Sequence, residues 1–434
     1  MKITTLEKIS LMILLIIFGG IVIHAPISVG LGVLLPDYAL LIKSWKELLL
    51  VLLIPLVCII VTRRRMWREL AQDWIFRFVV LYGALHLVSA VLSYDGLGPT
   101  LAGLAIDLRY ILFFGFVYVM VKVVPNSRQL FMRIGIIGAF IVVGFATTQL
   151  FLPADILTHI GYSKETITPY LTVDKNPDYI RVNSTLRGPN PLGAYAGMVL
   201  ALLATAAIRM KVWRNDKKII IGGIILAVCS FVAVWISYSR SALIGAAGSL
   251  IAVFSTTVMR KLSRRAWIIS SAVLFALIGA LVLGRDSSFV SNVLLHENQN
   301  GGSEVSSNDG HAQSLQDGFK LFVSQPFGAG VGSTGSASLE GANPIILENQ
   351  YLFIAHEVGW LGLLLFIVIF IGVLVRLWHL RKDWLALGVF ASGLGLASIG
   401  ILLPVWADDT VSIVWWGLAA IALVGGKNDR KTTK

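Results

Sequence analysis

Apolar residues in this chain run in long uninterrupted blocks separated by short polar stretches. A block of about 20 apolar residues matches the hydrocarbon core of a bilayer crossed by an α-helix. Strands of a membrane barrel are shorter and alternate, and these segments do not. Twelve segments fit: 10–34, 46–62, 74–92, 100–122, 131–152, 190–208, 219–236, 241–258, 266–284, 348–375, 384–403 and 410–425. The first looks like a secretory signal, but no clear small-residue cleavage site follows it. Eleven more spans come after it, so it reads as a retained anchor. The prediction is an all-α integral membrane protein of about 12 transmembrane helices, one polytopic domain over residues 1–434.

Two connections are long and fall on the same face. The first, 153–189, is polar without being low in complexity. The second, 285–347, contains a Ser/Asn/Gly-rich stretch, Glu297-Asn-Gln-Asn-Gly-Gly-Ser-Glu304, that reads as flexible. Beyond it a helical period returns. Leu315, Phe319, Phe322 and Val323 form one stripe of a short amphipathic helix, expected to lie along the membrane interface. Pro326 ends that helix. No internal repeat stands out, which counts modestly against transporters built from inverted halves.

Composition excludes a soluble fold, with 56% of residues hydrophobic and only 14% charged. Charge sets the orientation. If the amino end is cytoplasmic, that side holds 26 of the 36 basic residues and 6 of the 24 acidic ones. The positive-inside rule then puts both termini in the cytoplasm and both long loops outside. The net charge of +12 is a topology signal. Its spread over short loops argues against nucleic-acid binding. Cys58 and Cys229 lie inside apolar spans with no metal-ligand spacing and read as packing residues. Neither a metal nor a cofactor is expected.

Against that charge bias, Arg187 and Arg240 sit at the outer mouths of apolar segments. Arg187 precedes Asn190-Pro191, a cap-like helix start. An outward helix N-terminus binds anions, and a guanidinium fork suits phosphate. The alternative is an interfacial arginine on lipid headgroups. Arg240 lies among Ser237, Ser239 and Ser241 at another outward helix start, and its alternative is an ion pair within the protein. Small residues follow it at Ala242, Gly245, Ala246, Ala247 and Gly248 and permit close helix packing.

Glu348 and Asn349 open the tenth span, where a carboxylate can serve as general base. His356 and Glu357 lie deeper in that span; ionisable groups there face a cavity or a partner. His356 reads as a second base candidate or a hydrogen-bonded structural histidine, and His311, at the start of the loop helix, as a weaker candidate and a candidate substrate contact. Gly328-Ala-Gly-Val-Gly332 lacks the Gly-Lys-Ser/Thr of a phosphate loop. It reads either as a phosphate contact, with Gly330 central, or as a turn for close backbone approach. Asp107 and Arg109 are expected to form a structural pair with each other or with neighbours, the alternative being that they line the cavity and contact substrate, and Asp408 and Asp409 to be solvated.

Together these segments resemble the bacterial O-antigen ligase and O-antigen polymerase superfamily. Arg187-Gly-Pro-Asn-Pro-Leu-Gly193 resembles its arginine before an Asn-Pro-like helix start. Ser237-Tyr-Ser-Arg240-Ser-Ala resembles its Ser-x-Ser-Arg segment, and Gln325-Pro-Phe-Gly-Ala-Gly-Val-Gly332 its Pro-x-Gly-x-Gly run. Ligases of that family carry a His-Asn or similar pair, nine residues, then Gly-x-x-Gly. Here Asn349 and Gly359-Trp-Leu-Gly362 keep the spacing, while Glu348 stands at the histidine position.

The resemblance implies a GT-C-like membrane enzyme in the bacterial cytoplasmic membrane that needs no metal. It would transfer a glycan from undecaprenyl diphosphate to a glycan or lipid-glycan acceptor. Arg187 and Arg240 would hold the diphosphate. Glu348, or His356, would take the acceptor proton. Asn190, Ser239, Asn349, Gly330 and His311 would contact substrate. The rival expectation is a transporter or flippase of a lipid-linked sugar, which predicts charged groups along a path through the membrane.

Overall fold

The computed structural model describes residues 3–210, 215–258, 307–341 and 343–428, together with 287, 290 and 291. The expected span at 266–284 and the Glu297–Glu304 stretch lie outside the described residues. The other eleven expected spans are helical. Among the described residues nine helices are long and apolar enough to cross a membrane, joined by two shorter apolar ones. The chain is a multi-pass α-helical membrane protein.

The first helical elements are α1 (Thr5–Gly20), α2 (His24–Leu34), α3 (Ala39–Lys43), α4 (Trp45–Arg63) and α5 (Trp67–Gln72). Three long helices follow, α6 (Trp74–Leu92), α7 (Leu97–Val123) and α8 (Ser127–Gln149). Then come strands β1 (Leu171–Val173) and β2 (Asn176–Arg181), and helices α9 (Pro189–Arg209), α10 (Lys217–Ile236) and α11 (Arg240–Thr257). The late loop carries α12 (Ser307–Ser324) and the short α13 (Gly335–Ser338). The last three are α14 (Gln350–His379), α15 (Trp384–Gly400) and α16 (Asp409–Asn428).

In the 153–189 loop β1 and β2 pair antiparallel as a small hairpin. Its turn residues Asp174 and Lys175 both have positive φ, at 48° and 61°. That geometry is the tight hairpin turn, reached here without a glycine.

Polar caps fix where several helices begin. The Asp73 side chain accepts from the Ile75 amide, and that of Asp383 from the Ala386 amide, each at 3.0 Å. Both caps also hold arginines, Asp73 taking Arg376 at 2.6 Å and Asp383 taking Arg128 at 2.7 Å. Glu7 with Arg64 at 2.6 Å completes a set of ion pairs at the end of the bundle that carries Thr5. The opposite, distal end holds the starts of α9, α11 and α14, the hairpin and α12.

Two kinds of packing hold that distal end in place. Around α7, α14 and α16, Trp406, Trp415 and Trp416 are fully buried and stack among Phe370 and Tyr110. Around α9, α11 and α15 the contact is made by small residues. A Cβ added at Gly395 would lie 2.2 Å from the Gly245 carbonyl oxygen, and one at Gly193 would lie 2.5 Å from Ala242 Cβ. In lipid, where no hydrophobic effect drives helices together, such close backbone approach supplies the packing energy. It also sets the starts of α9 and α11 side by side.

In α14 the helix breaks at Val358 and Gly359, the latter with φ 71°. The turn after Pro326 takes up the backbone groups the break releases. Trp360 N donates to Pro326 O at 2.9 Å, and Ala329 N donates to His356 O at 2.6 Å. Glu357 adds its side chain, accepting from Gly332 N at 3.1 Å. The late loop is thereby tied to the bundle, and α12 with it.

Candidate functional site

At the distal end β2, α11, α12 and the α15–α16 connection enclose a cavity of about 290 Å³, lined by Arg181, Asn190, Ser239, Arg240 and His311 among others. A second cavity of about 190 Å³ is lined by His311, Glu348 and Asn349. His311 and Leu402 line both, so the two are neighbours around one imidazole.

Arg240 is the first residue of α11 and follows the cap Ser239, whose hydroxyl accepts from Ala242 N at 3.4 Å. A cation at this position faces the positive end of its own helix and favours an anion nearby. The preceding Tyr238 has φ 46°, an unusual conformation for an aromatic residue. Arg181 stabilises that turn, since its Nε donates to Ser237 O at 2.9 Å. Its Nη2 donates to Asn190 Oδ1 at 2.6 Å. Burial pushes the Arg181 guanidinium down to about 10, which leaves it charged near neutral pH. Asp174, at the hairpin turn, sets a carboxylate within electrostatic reach of both guanidinium groups.

Asn190 is therefore not the cap of α9. Gly188 holds that position and Pro189 is the first helical residue, with Asn190 turned to Arg181. Both prolines of the Pro-Asn-Pro run suit a first helical turn, and the one nearer Gly188 takes it.

Arg187 is exposed and lines neither cavity. Its charge bears on Asp408 and Asp409. Those two carboxylates correct the expectation of solvated loop acids. Asp409 is fully buried and pairs with His24 at 3.3 Å and Lys46 at 3.2 Å. Lys46 also meets Glu47 at 3.2 Å, and Glu47 faces Arg109 at 3.6 Å. Asp107 and Arg109 do not pair with each other. Asp107 lies 3.7 Å from His86 and beside Glu357, while Arg109 donates to the Ala407 carbonyl.

Glu348 and His311 meet directly, Oε2 to Nδ1 at 2.5 Å, and both side chains are partly open to solvent. The Glu348 amide donates to Ser314 Oγ at 3.1 Å, a second tie between α12 and the start of α14. Asn349 caps α14, accepting from Tyr351 N at 2.9 Å and Leu352 N at 3.0 Å, and donates to Ile401 O at 2.7 Å.

Two expected site residues lie elsewhere. His356 is buried under the turn after Pro326 and lines neither cavity. Gly330 packs on the end of α6, where an added Cβ would be 2.4 Å from Ser93 O. Its φ of 112° and that close approach account for the glycine without a ligand.

Arg240, His311 and Glu348 all fall within residues 225–367, which match a family model described as O-antigen ligase. That match supports an O-antigen ligase superfamily member. The matched stretch runs from α10 into α14, so it covers one side of the paired cavities, while Arg181, Arg187 and Asn190 lie outside it. The family supports an O-antigen ligase-like function at the membrane and a glycosyltransferase-like enzyme. No curated protein matches the chain at significant similarity.

Proposed function

We propose that this superfamily member is a GT-C-like glycosyltransferase of a bacterial cytoplasmic membrane. Both termini are cytoplasmic in this reading, and the distal cavities open on the outer face. The donor is a glycan on undecaprenyl diphosphate, and the acceptor is a hydroxyl of a glycan or lipid-glycan.

The reaction is a single displacement that inverts the anomeric carbon. As the bond from that carbon to the diphosphate breaks, negative charge grows on the leaving group. Guanidinium groups at a helix N-terminus stabilise that charge without a metal ion. Arg240 is the central one and Arg181 faces the same space. Arg187, just before α9, adds positive potential at that end. The acceptor enters from the Glu348 and Asn349 side.

The observation that carries this reading is the shared wall of the two cavities: a cationic chamber and a carboxylate-bearing chamber meet at His311. That juxtaposition suits a reaction between an anionic donor and a hydroxyl acceptor.

The test uses purified protein in proteoliposomes with an undecaprenyl-diphosphate glycan and candidate acceptors, in buffer containing a chelator. Longer lipid-linked chains identify a polymerase, and transfer to a lipid core or wall glycan identifies a ligase. Movement of the lipid-linked sugar across the bilayer without transfer would favour the flippase.

A further inference from the structure

We infer that His311, supplied by the loop helix α12, is the group that takes the acceptor proton, and that Glu348 positions it. This rests on the transfer reaction proposed above and assigns a part of it that the cations leave open.

The geometry comes first. An ionised carboxylate only accepts hydrogen bonds. The contact of 2.5 Å from Glu348 Oε2 to His311 Nδ1 therefore places a proton on Nδ1. In the neutral imidazole that tautomer leaves Nε2 as the acceptor. A carboxylate behind an imidazole also stabilises the imidazolium formed when Nε2 takes a proton. Glu348 is itself engaged at the back of the ring, where it is less suited to meet a hydroxyl.

The placement agrees. His311 lines both cavities, whereas Glu348 lines only the smaller one. The imidazole is thus the titratable group that reaches the acceptor side and the cationic side together.

The scaffold is built to hold this pair. Glu348 N is bound to Ser314, one turn along α12 from His311. Further along, Trp360 Nε1 donates to Phe322 O at 2.7 Å, and the Phe322 and Trp360 rings lie 5.5 Å apart. Gly318 lets α12 settle on α14, since a Cβ there would be 2.9 Å from Leu352 Cδ1. Such a line of contacts fixes the imidazole against the carboxylate.

In the step, the acceptor O–H gives its proton to His311 Nε2, and the oxygen lone pair forms the new bond to the anomeric carbon. The bond from that carbon to the diphosphate oxygen breaks, and its electron pair leaves with undecaprenyl diphosphate. The proton later passes from His311 to solvent.

Among the described residues, Glu348 from the start of α14 pairs with His311, and Arg240 from α11 and Arg181 from β2 line the larger cavity with it. The experiment measures initial rates of glycan transfer against pH for wild type, His311→Ala, His311→Gln and Glu348→Gln, with melting temperatures as a check on folding. General base catalysis contributes about 10²–10⁴-fold, so His311→Ala is expected to lose at least ~100-fold in kcat with little change in donor KM. The dependence of the rate on pH is expected to differ between wild type and His311→Ala. Added imidazole restores part of the rate to His311→Ala, a response no structural role produces. Glu348→Gln loses less than His311→Ala. Full activity in either His311 variant overturns the assignment. So does a larger loss in Glu348→Gln than in His311→Ala, which would make the carboxylate the base. Wild-type protein that transfers nothing to any acceptor instead removes the glycosyltransferase reading, and this inference with it.

Discussion

Arg181 binds Asn190 at 2.6 Å through one guanidinium nitrogen and the carbonyl of Ser237 at 2.9 Å through another. One side chain on the hairpin thus ties the start of α9 to the turn that presents Arg240. The cation position at the start of α11 is a product of tertiary structure as well as of the local Ser-Tyr-Ser-Arg sequence.

Arg181→Ala is expected to weaken donor use and stability together. A hydrogen bond to a charged group contributes about 1.5–3 kcal/mol, so loss of two of them lowers the melting temperature and raises donor KM by at least ~10-fold. Arg181→Lys recovers little, because an ammonium lacks the planar fork that serves both acceptors. Donor titrations on the two variants check this; a lysine variant with wild-type KM would count against it.

The small-residue seam between α11 and α15 gives a second expectation. Gly395→Val puts a side chain where the Gly245 carbonyl lies 2.2 Å from the Cβ position. Overpacking of this kind costs about 1–3 kcal/mol. Melting in detergent should drop clearly, and transfer should fall because Arg240 shifts with α11. An unchanged melting curve would mean the helices are not this close.

A pH effect follows from Asp408. Burial and the adjacent Asp409 push its carboxyl up to about 6. Its folded-state value therefore lies above the unfolded one, so the ionised form is disfavoured in the folded chain. The associated stability is present below the ordinary carboxylate range, about pH 4, and is lost as pH rises through about 6. Asp408→Asn removes the charge and keeps an acceptor for the Val411 amide, now capped at 2.9 Å. The variant should melt higher than wild type at neutral pH and match it at acid pH. Equal melting at neutral pH would refute the assignment.

What the chain disclosed in advance follows from the range of each interaction. The spans were legible because a bilayer demands long apolar runs, and eleven expected segments are helices. The Ser239 cap before Arg240 was legible because capping is local. Asn190 reads as a cap in the sequence because Pro189 and Pro191 offer competing helix starts, and only contact with Arg181 distinguishes them. Arg181 itself carries no local signal. It lies in a loop whose Asp174-Lys175 turn lacks the Asn-Gly or Asp-Gly signal of a hairpin. The burial of Asp409 depends on His24 and Lys46 at the far end of the chain, which no local pattern reports. His311 and Glu348 were each visible as candidates, but their pairing exists only once α12 folds back on α14.

The most direct test of the account is the rate of glycan transfer by Arg240→Ala and Arg240→Lys in proteoliposomes at saturating acceptor. Removing one preorganised electrostatic donor typically costs about 10²–10³ in kcat. The alanine variant should fall by that order while remaining inserted and folded, and the lysine variant should recover a part. Wild-type rates from folded Arg240→Ala would contradict the claim that this cavity binds and activates the diphosphate.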